Sequence, residues 1–84
     1  MELERKKEIA AELIKKAVEI SETTDHDVFV DYSPHVNWID ITIHLHAWKK
    51  NTQGLQIFVI FDENHDTETE LRRAMEILNS MAEN

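Results

Sequence analysis

The chain contains no cysteine, one glycine and one proline among its 84 residues. Without cysteine it can form neither a disulfide framework nor a thiolate-bound metal centre, and it has no Cys nucleophile. Its one glycine, Gly54, is too few for a glycine-rich phosphate loop. No serine lies in the Gly-x-Ser-x-Gly turn of the α/β-hydrolases. The sequence therefore predicts a protein that is not an enzyme and that uses no cofactor.

Long hydrophobic runs are also missing. The longest, residues 55–61, is interrupted by Gln56 and is much shorter than the ~20 apolar residues that a transmembrane helix needs. The first residues do not have the pattern of a signal peptide. A chain of this length holds one hydrophobic core, so we expect a single domain over residues 1–84, located in the cytoplasm.

Basic residues are scarce over most of the chain. Lys and Arg together number 9 against 17 Asp and Glu, which gives a formal charge of −8. Acids and bases balance over residues 2–19, and no Lys or Arg occurs between Lys16 and Lys49. A negative field of this kind repels phosphate backbones. We therefore expect no direct binding to nucleic acid. Because no segment is long and apolar enough to span a bilayer, we also expect no association with a membrane.

Two segments have the periodicity of amphipathic helices. In residues 2–20 the apolar side chains recur on one helical stripe, which consists of Leu3, Ile9, Ala10, Leu13, Ile14, Ala17 and Ile20. Residues 67–82 repeat the pattern and begin with Thr67-x-x-Glu70, which is typical of a capping box. Residues 21–25 have poor helix propensity and are predicted to connect the first helix to the first strand.

Between the helices, three segments alternate as β-strands do. They are residues 27–32, 38–48 and 55–61. Short turns separate them, which favours an antiparallel meander with the second strand in the centre. Because each helix has one apolar stripe, both should cover the same face of the sheet. The predicted fold is an α+β class, two-layer α/β sandwich of order α-β-β-β-α.

This order resembles the topology of the double-stranded-RNA-binding domain. That family grips phosphates with a lysine-rich start to its second helix, whereas residues 66–70 here read Asp-Thr-Glu-Thr-Glu. The resemblance therefore implies neither the family nor its function. In size and acidity the chain is also similar to phage and mobile-element proteins that block nucleic-acid enzymes of the host.

The sheet face that the helices leave open is predicted to be aromatic. Strand parity places on it Phe29, Trp38, Thr42, His44, His46, Trp48, Phe58 and Ile60. A contiguous apolar patch of this size usually marks an interaction surface, and tryptophan is enriched in such surfaces. We expect these residues to form an interface, first of all with a second copy of the chain, because two-fold dimers are the commonest assemblies. A different protein partner is the alternative.

Acidic residues are predicted to share this face. A short turn pairs Phe29 with Thr42 and Asp31 with Asp40, and a second short loop pairs His44 with Phe58 and Asp40 with Asp62. Asp31, Asp40, Asp62 and Glu63 would then form an acidic patch. Such a patch suits an inhibitor that imitates nucleic-acid charge and occupies a basic cleft of an enzyme, which is the second functional hypothesis.

A third hypothesis concerns the His44-x-His46 pattern, which puts two imidazoles on one face of a strand. With a third donor such as Asp27 or His65, the two histidines would form a divalent-metal site. The pattern is short and occurs often without metal, so no metal ligand is assigned from the sequence. The leading hypothesis is a non-catalytic, homodimeric protein-interaction module.

Overall fold

Five elements succeed one another in the order α-β-β-β-α in a computed structural model of the chain, which describes residues 1–47, 50 and 53–82. They are α1 (Leu3–Thr23), β1 (Asp27–Ser33), β2 (Trp38–His44), β3 (Leu55–Ile60) and α2 (Thr67–Ala82). The sheet has the order β1-β2-β3, both neighbouring pairs are antiparallel, and α1 packs on β1 while α2 packs on β3. The predicted α+β sandwich is confirmed.

Helix α1 buries a narrower stripe than the sequence predicts and ends later. Its buried residues are Ile9, Leu13, Ala17 and Ile20. Leu3 and Ile14, which the periodicity also assigns to the apolar stripe, are 65% and 50% exposed. The helix continues to Thr23 because polar groups close its last turn. The backbone N–H and the hydroxyl of Thr24 both donate to the carbonyl oxygen of Ile20, at 2.9 and 2.7 Å.

The central strand β2 supplies the middle of the core. Ile39, Ile41 and Ile43 are at most 1% exposed and point toward the helices. They alternate with Trp38, Asp40 and Thr42, since successive side chains of a strand point to opposite faces. The register therefore decides which polar and aromatic residues share the open face.

The first turn of α2 is capped differently from the prediction. Asp66 is the capping residue, because its carboxylate accepts bonds from the N–H of Thr69 at 3.1 Å and from the Thr69 hydroxyl at 2.8 Å. The capping-box residues bind the end of β3 instead. The Thr67 hydroxyl donates to the carbonyl of Ile60 at 2.6 Å, and Glu70 accepts the Ile60 N–H at 3.1 Å.

Side chains of the helices thereby satisfy backbone groups at both edges of the sheet. Ile60 directs its N–H and carbonyl away from β2, and α2 binds both. On the other edge, the Val28 N–H donates to the hydroxyl of Ser21 in α1 at 3.1 Å. An exposed strand edge is a template for pairing with another chain. These bonds leave fewer free backbone groups for such pairing.

Neither α1 nor α2, the two helices in the described residues, is both long and apolar enough to cross a membrane.

Candidate functional site

The open face of the sheet carries most of the residues that the sequence predicts for an interface. Phe29, Trp38, Thr42, His44, Phe58 and Ile60 alternate with core residues in the observed register, and all six lie on the side away from the helices. Phe29 is 46% exposed and Phe58 is 37% exposed, whereas His44 is buried. No helix among the described residues covers this face.

Two ring contacts organise the open face. The rings of Trp38 and Phe58 lie 5.0 Å apart and are tilted by 59°. Those of Phe29 and His44 meet edge to face at 5.8 Å. Both geometries fall in the range that aromatic pairs prefer. The aromatic side chains of the face therefore already pack as two pairs, and side chains held in this way lose less conformational entropy when a partner binds than freely rotating ones do.

Carboxylates lie between the ring pairs. Asp31 and Asp40 are directly opposite each other in the β1–β2 register, as predicted, and Asp40 is also opposite Phe58 in the β2–β3 register. The Thr42 hydroxyl lies 3.4 Å from the Asp40 carboxylate and donates to it. None of the three strands contains a Lys or Arg. Like charges directly opposite in a sheet are destabilising, so this pair favours a cation.

The predicted pairing of β2 with β3 is wrong. Asp40 pairs with Phe58 rather than with Asp62, so Phe58 does not pair with His44 as predicted. The predicted register requires β2 to continue to residue 48 and a short loop to come next. β2 ends at His44, and Asp40 meets a residue four positions earlier than predicted. Because this shift is an even number of residues, the side chains within the three strands keep their predicted faces.

Among the predicted interface residues that the structure describes, His46 lies beyond the end of β2 and not on the open face. His46 and Ala47 have φ values of +59° and +77°, in the left-handed region that ends an extended strand. His46 is therefore exposed in the turn after β2. Trp48 lies outside the described residues.

Histidines come together in a set that the sequence did not predict. His46 Nδ1 lies 2.9 Å from the Asp25 carboxylate. The backbone N–H of His46 donates a hydrogen bond to His26 Nδ1 at 3.1 Å. His44 is not part of this set. Asp25 and His26 are adjacent in the connection between α1 and β1, and no sequence periodicity relates them to His46.

Asp62 and Glu63 are separate from the Asp31–Asp40 pair in the sheet register. Both are exposed and come after β3 in the chain. Asp62 accepts the N–H of Asn64 at 2.9 Å and lies 2.6 Å from His65 Nδ1. The bond to His65 lowers the pKa of Asp62 and raises the pKa of His65. The predicted acidic patch is thus divided between the open face and this loop.

The Asp62–His65 bond predicts a pH-dependent stability difference. Because the pKa of His65 is raised on folding, its contribution is present below about pH 6.5 and is lost as the pH rises through the folded value. The contribution of Asp62 is lost as the pH falls through its lowered pKa. We expect His65→Gln to lower the melting temperature slightly at pH 5 and less at pH 8, since both groups are partly exposed. Equal shifts at the two pH values would contradict the assignment.

No protein-family model matches the chain, and no curated protein or solved structure is significantly similar to it. The function is therefore inferred from the geometry of this molecule.

Proposed function

We propose that the protein is a non-catalytic interaction module whose open sheet face binds a positively charged segment of another protein. The observation that carries the proposal is the Asp31–Asp40 pair, which lies between two aromatic pairs on strands without a Lys or Arg. The rings supply apolar contact area and the carboxylates supply charge. Both lie on the same face of the sheet.

The sheet edges are less suited to binding than this face. Ser21 in α1 accepts the Val28 N–H at one edge, and Thr67 and Glu70 bind Ile60 at the other. A partner strand would have to displace these bonds to pair along the full length of an edge. The open face requires no such displacement, because its side chains are already presented.

A basic side chain fits this surface in two ways. Arginine and lysine relieve the repulsion between Asp31 and Asp40. They also bind favourably above aromatic faces, which Trp38 and Phe58 present next to Asp40. Trp is enriched among the residues that dominate binding energy. We therefore expect the Trp38–Phe58 end of the face to be the centre of the contact.

A second copy of the chain suits the same face less well. A face-to-face dimer would bring Asp31 and Asp40 of both copies into one interface, to which the strands contribute no Lys or Arg. Like charges facing each other across an interface cost several kcal/mol. The homodimer expected from the sequence remains the alternative. An enzyme with a basic nucleic-acid cleft is one partner of the proposed kind, in which case Asp31 and Asp40 would make the contact.

The proposal is tested with a short peptide in which arginine and leucine alternate, titrated into isotope-labelled protein and followed by NMR. We expect shift changes at Trp38, Thr42 and Phe58, and weaker binding as the salt concentration rises. The double variant Asp31→Asn/Asp40→Asn should bind at least about 10-fold more weakly, because it removes the charge pair at the contact.

The matched control is Glu12→Gln/Glu76→Gln, which makes the same change in net charge on the helices, on the other side of the sheet. It should retain wild-type affinity. If both double variants weaken binding equally, the peptide responds to net charge and not to the open face. Light scattering of the free protein tests the homodimer separately, since a monomer excludes it.

A further inference from the structure

Three metal-binding side chains converge at the end of the sheet where α1 joins β1. The carboxylate of Asp25 and the imidazoles of His26 and His46 each offer a ligand atom, and these atoms all lie within 4.8 Å of one another. Asp25 and His26 come from the α1–β1 connection, whereas His46 comes from the turn after β2. The cluster thus joins two segments that are distant in the chain.

We propose that Asp25, His26 and His46 bind a divalent metal ion, and that this ion is zinc. Imidazole nitrogen suits zinc, copper and nickel, and zinc also accepts a carboxylate oxygen. Three protein ligands leave a fourth tetrahedral position for water or for a group from a partner. This site lies apart from the Asp31–Asp40 pair and does not depend on the proposed function.

The ligands are partly organised before an ion arrives. His26 is only 7% exposed, and its Nδ1 accepts the N–H of His46 at 3.1 Å. Asp25 already orients the His46 ring through the 2.9 Å contact, and the two imidazole rings lie 5.1 Å apart. An unbound site that holds its groups close loses less conformational entropy on binding than one formed from free loops.

Binding requires a small adjustment of the ligand atoms, in which the 2.9 Å contact between Asp25 and His46 lengthens and any wider separation within the cluster shortens. Ligand atoms on a tetrahedral zinc ion, each about 2.0–2.1 Å from the metal, lie roughly 3.4 Å from one another. The side chains of Asp25 and His46 are exposed and can make this movement. If the ion binds Nδ1 of His26, this atom can no longer accept the hydrogen bond from the backbone N–H of His46. The imidazole of His46 would then be linked to His26 through the metal ion.

A second carboxylate–imidazole pair in the chain can be compared with the Asp25 cluster. Asp62 and His65 also form a short carboxylate–imidazole contact, at 2.6 Å, but they belong to no group of three metal-binding side chains within the described residues. A carboxylate–imidazole pair alone should bind zinc weakly. The second imidazole, that of buried His26, is what distinguishes the cluster at Asp25.

The test is a calorimetric titration of the untagged full chain with zinc chloride near neutral pH, repeated with cobalt(II) for its visible absorption. We expect one ion per chain and a cobalt spectrum typical of nitrogen and oxygen ligands. At a free zinc concentration 100 times the dissociation constant, the melting temperature should rise by about 10 °C or more.

Variants identify the ligands. His46→Ala and Asp25→Asn change exposed residues, so they should fold, and each should weaken zinc binding more than about 10-fold. His65→Ala is the matched control and should bind as the wild type does. No heat and no cobalt spectrum at millimolar ion would overturn the proposal. Loss of binding in His65→Ala but not in His46→Ala would overturn it as well. His26 is not substituted, because replacing this buried residue would not distinguish loss of metal binding from loss of folding.

Discussion

Leu13→Ala is expected to lower the free energy of unfolding by about 2–5 kcal/mol, the usual cost of removing a fully buried leucine. Leu13 is completely buried in the core that α1 forms with the sheet. The loss comprises the transfer free energy of the missing carbons and the cavity that they leave. A domain of this size has a total stability of roughly 4–12 kcal/mol, so the variant should be close to unfolded in mild denaturant. Chemical denaturation followed by circular dichroism measures the change.

The neighbouring residue provides the control. Ile14 belongs to the same predicted apolar stripe, but it is 50% exposed. Ile14→Ala should therefore change the stability by no more than about 0.5 kcal/mol, since surface substitutions away from special features have effects of that size. Similar losses for the two variants would show that α1 is rotated from the observed orientation.

Gly54→Ala is expected to destabilise the fold by about 1–3 kcal/mol, the range for inserting an atom into a filled space. A Cβ atom at this position would lie 2.8 Å from the carbonyl oxygen of Ile43, 2.8 Å from a methyl carbon of Thr42 and 2.9 Å from Nε2 of His44. The Ile43 oxygen belongs to the backbone of the central strand and cannot move without disturbing the sheet. The melting temperature should fall by about 4 °C or more.

Gln53→Ala serves as the comparison for Gly54→Ala, because Gln53 is exposed and adjacent in the chain. It should leave the melting temperature nearly unchanged. In most unstrained positions a glycine-to-alanine change stabilises a protein through the unfolded state. A gain in stability for Gly54→Ala would therefore mean that the chain before β3 does not pack against Thr42 and His44.

The hydrophobic periodicity predicts which side chains lie on each face of the sheet, but it does not predict where the strands end. The alternation of Ile39, Ile41 and Ile43 with polar and aromatic residues predicts the buried and open faces, and the structure has both as predicted. The same alternation continues through Leu45 and His46, so it overestimates β2. The strand ends because the backbone turns to positive φ at His46, a change that hydrophobic pattern does not record.

In the candidate site, too, some contacts could be predicted from the sequence and others could not. A short turn left little freedom in the register of β1 and β2, so the pairing of Asp31 with Asp40 was predictable. The loop between β2 and β3 is longer, so the sequence leaves more than one register open for this strand pair. In the structure Asp40 meets Phe58 and not Asp62. The contact of Asp25 and His26 with His46 depends on where two loops meet in space, and sequence spacing contains no signal for it.

The sequence alone determined the order of the elements, the composition of the two sheet faces and the negative charge, since these depend on local periodicity and on counting. The tertiary structure decided where β2 ends, which carboxylates are neighbours, and which histidines form a cluster. Those features depend on contacts between residues far apart in the chain, whose geometry is settled only when the core packs.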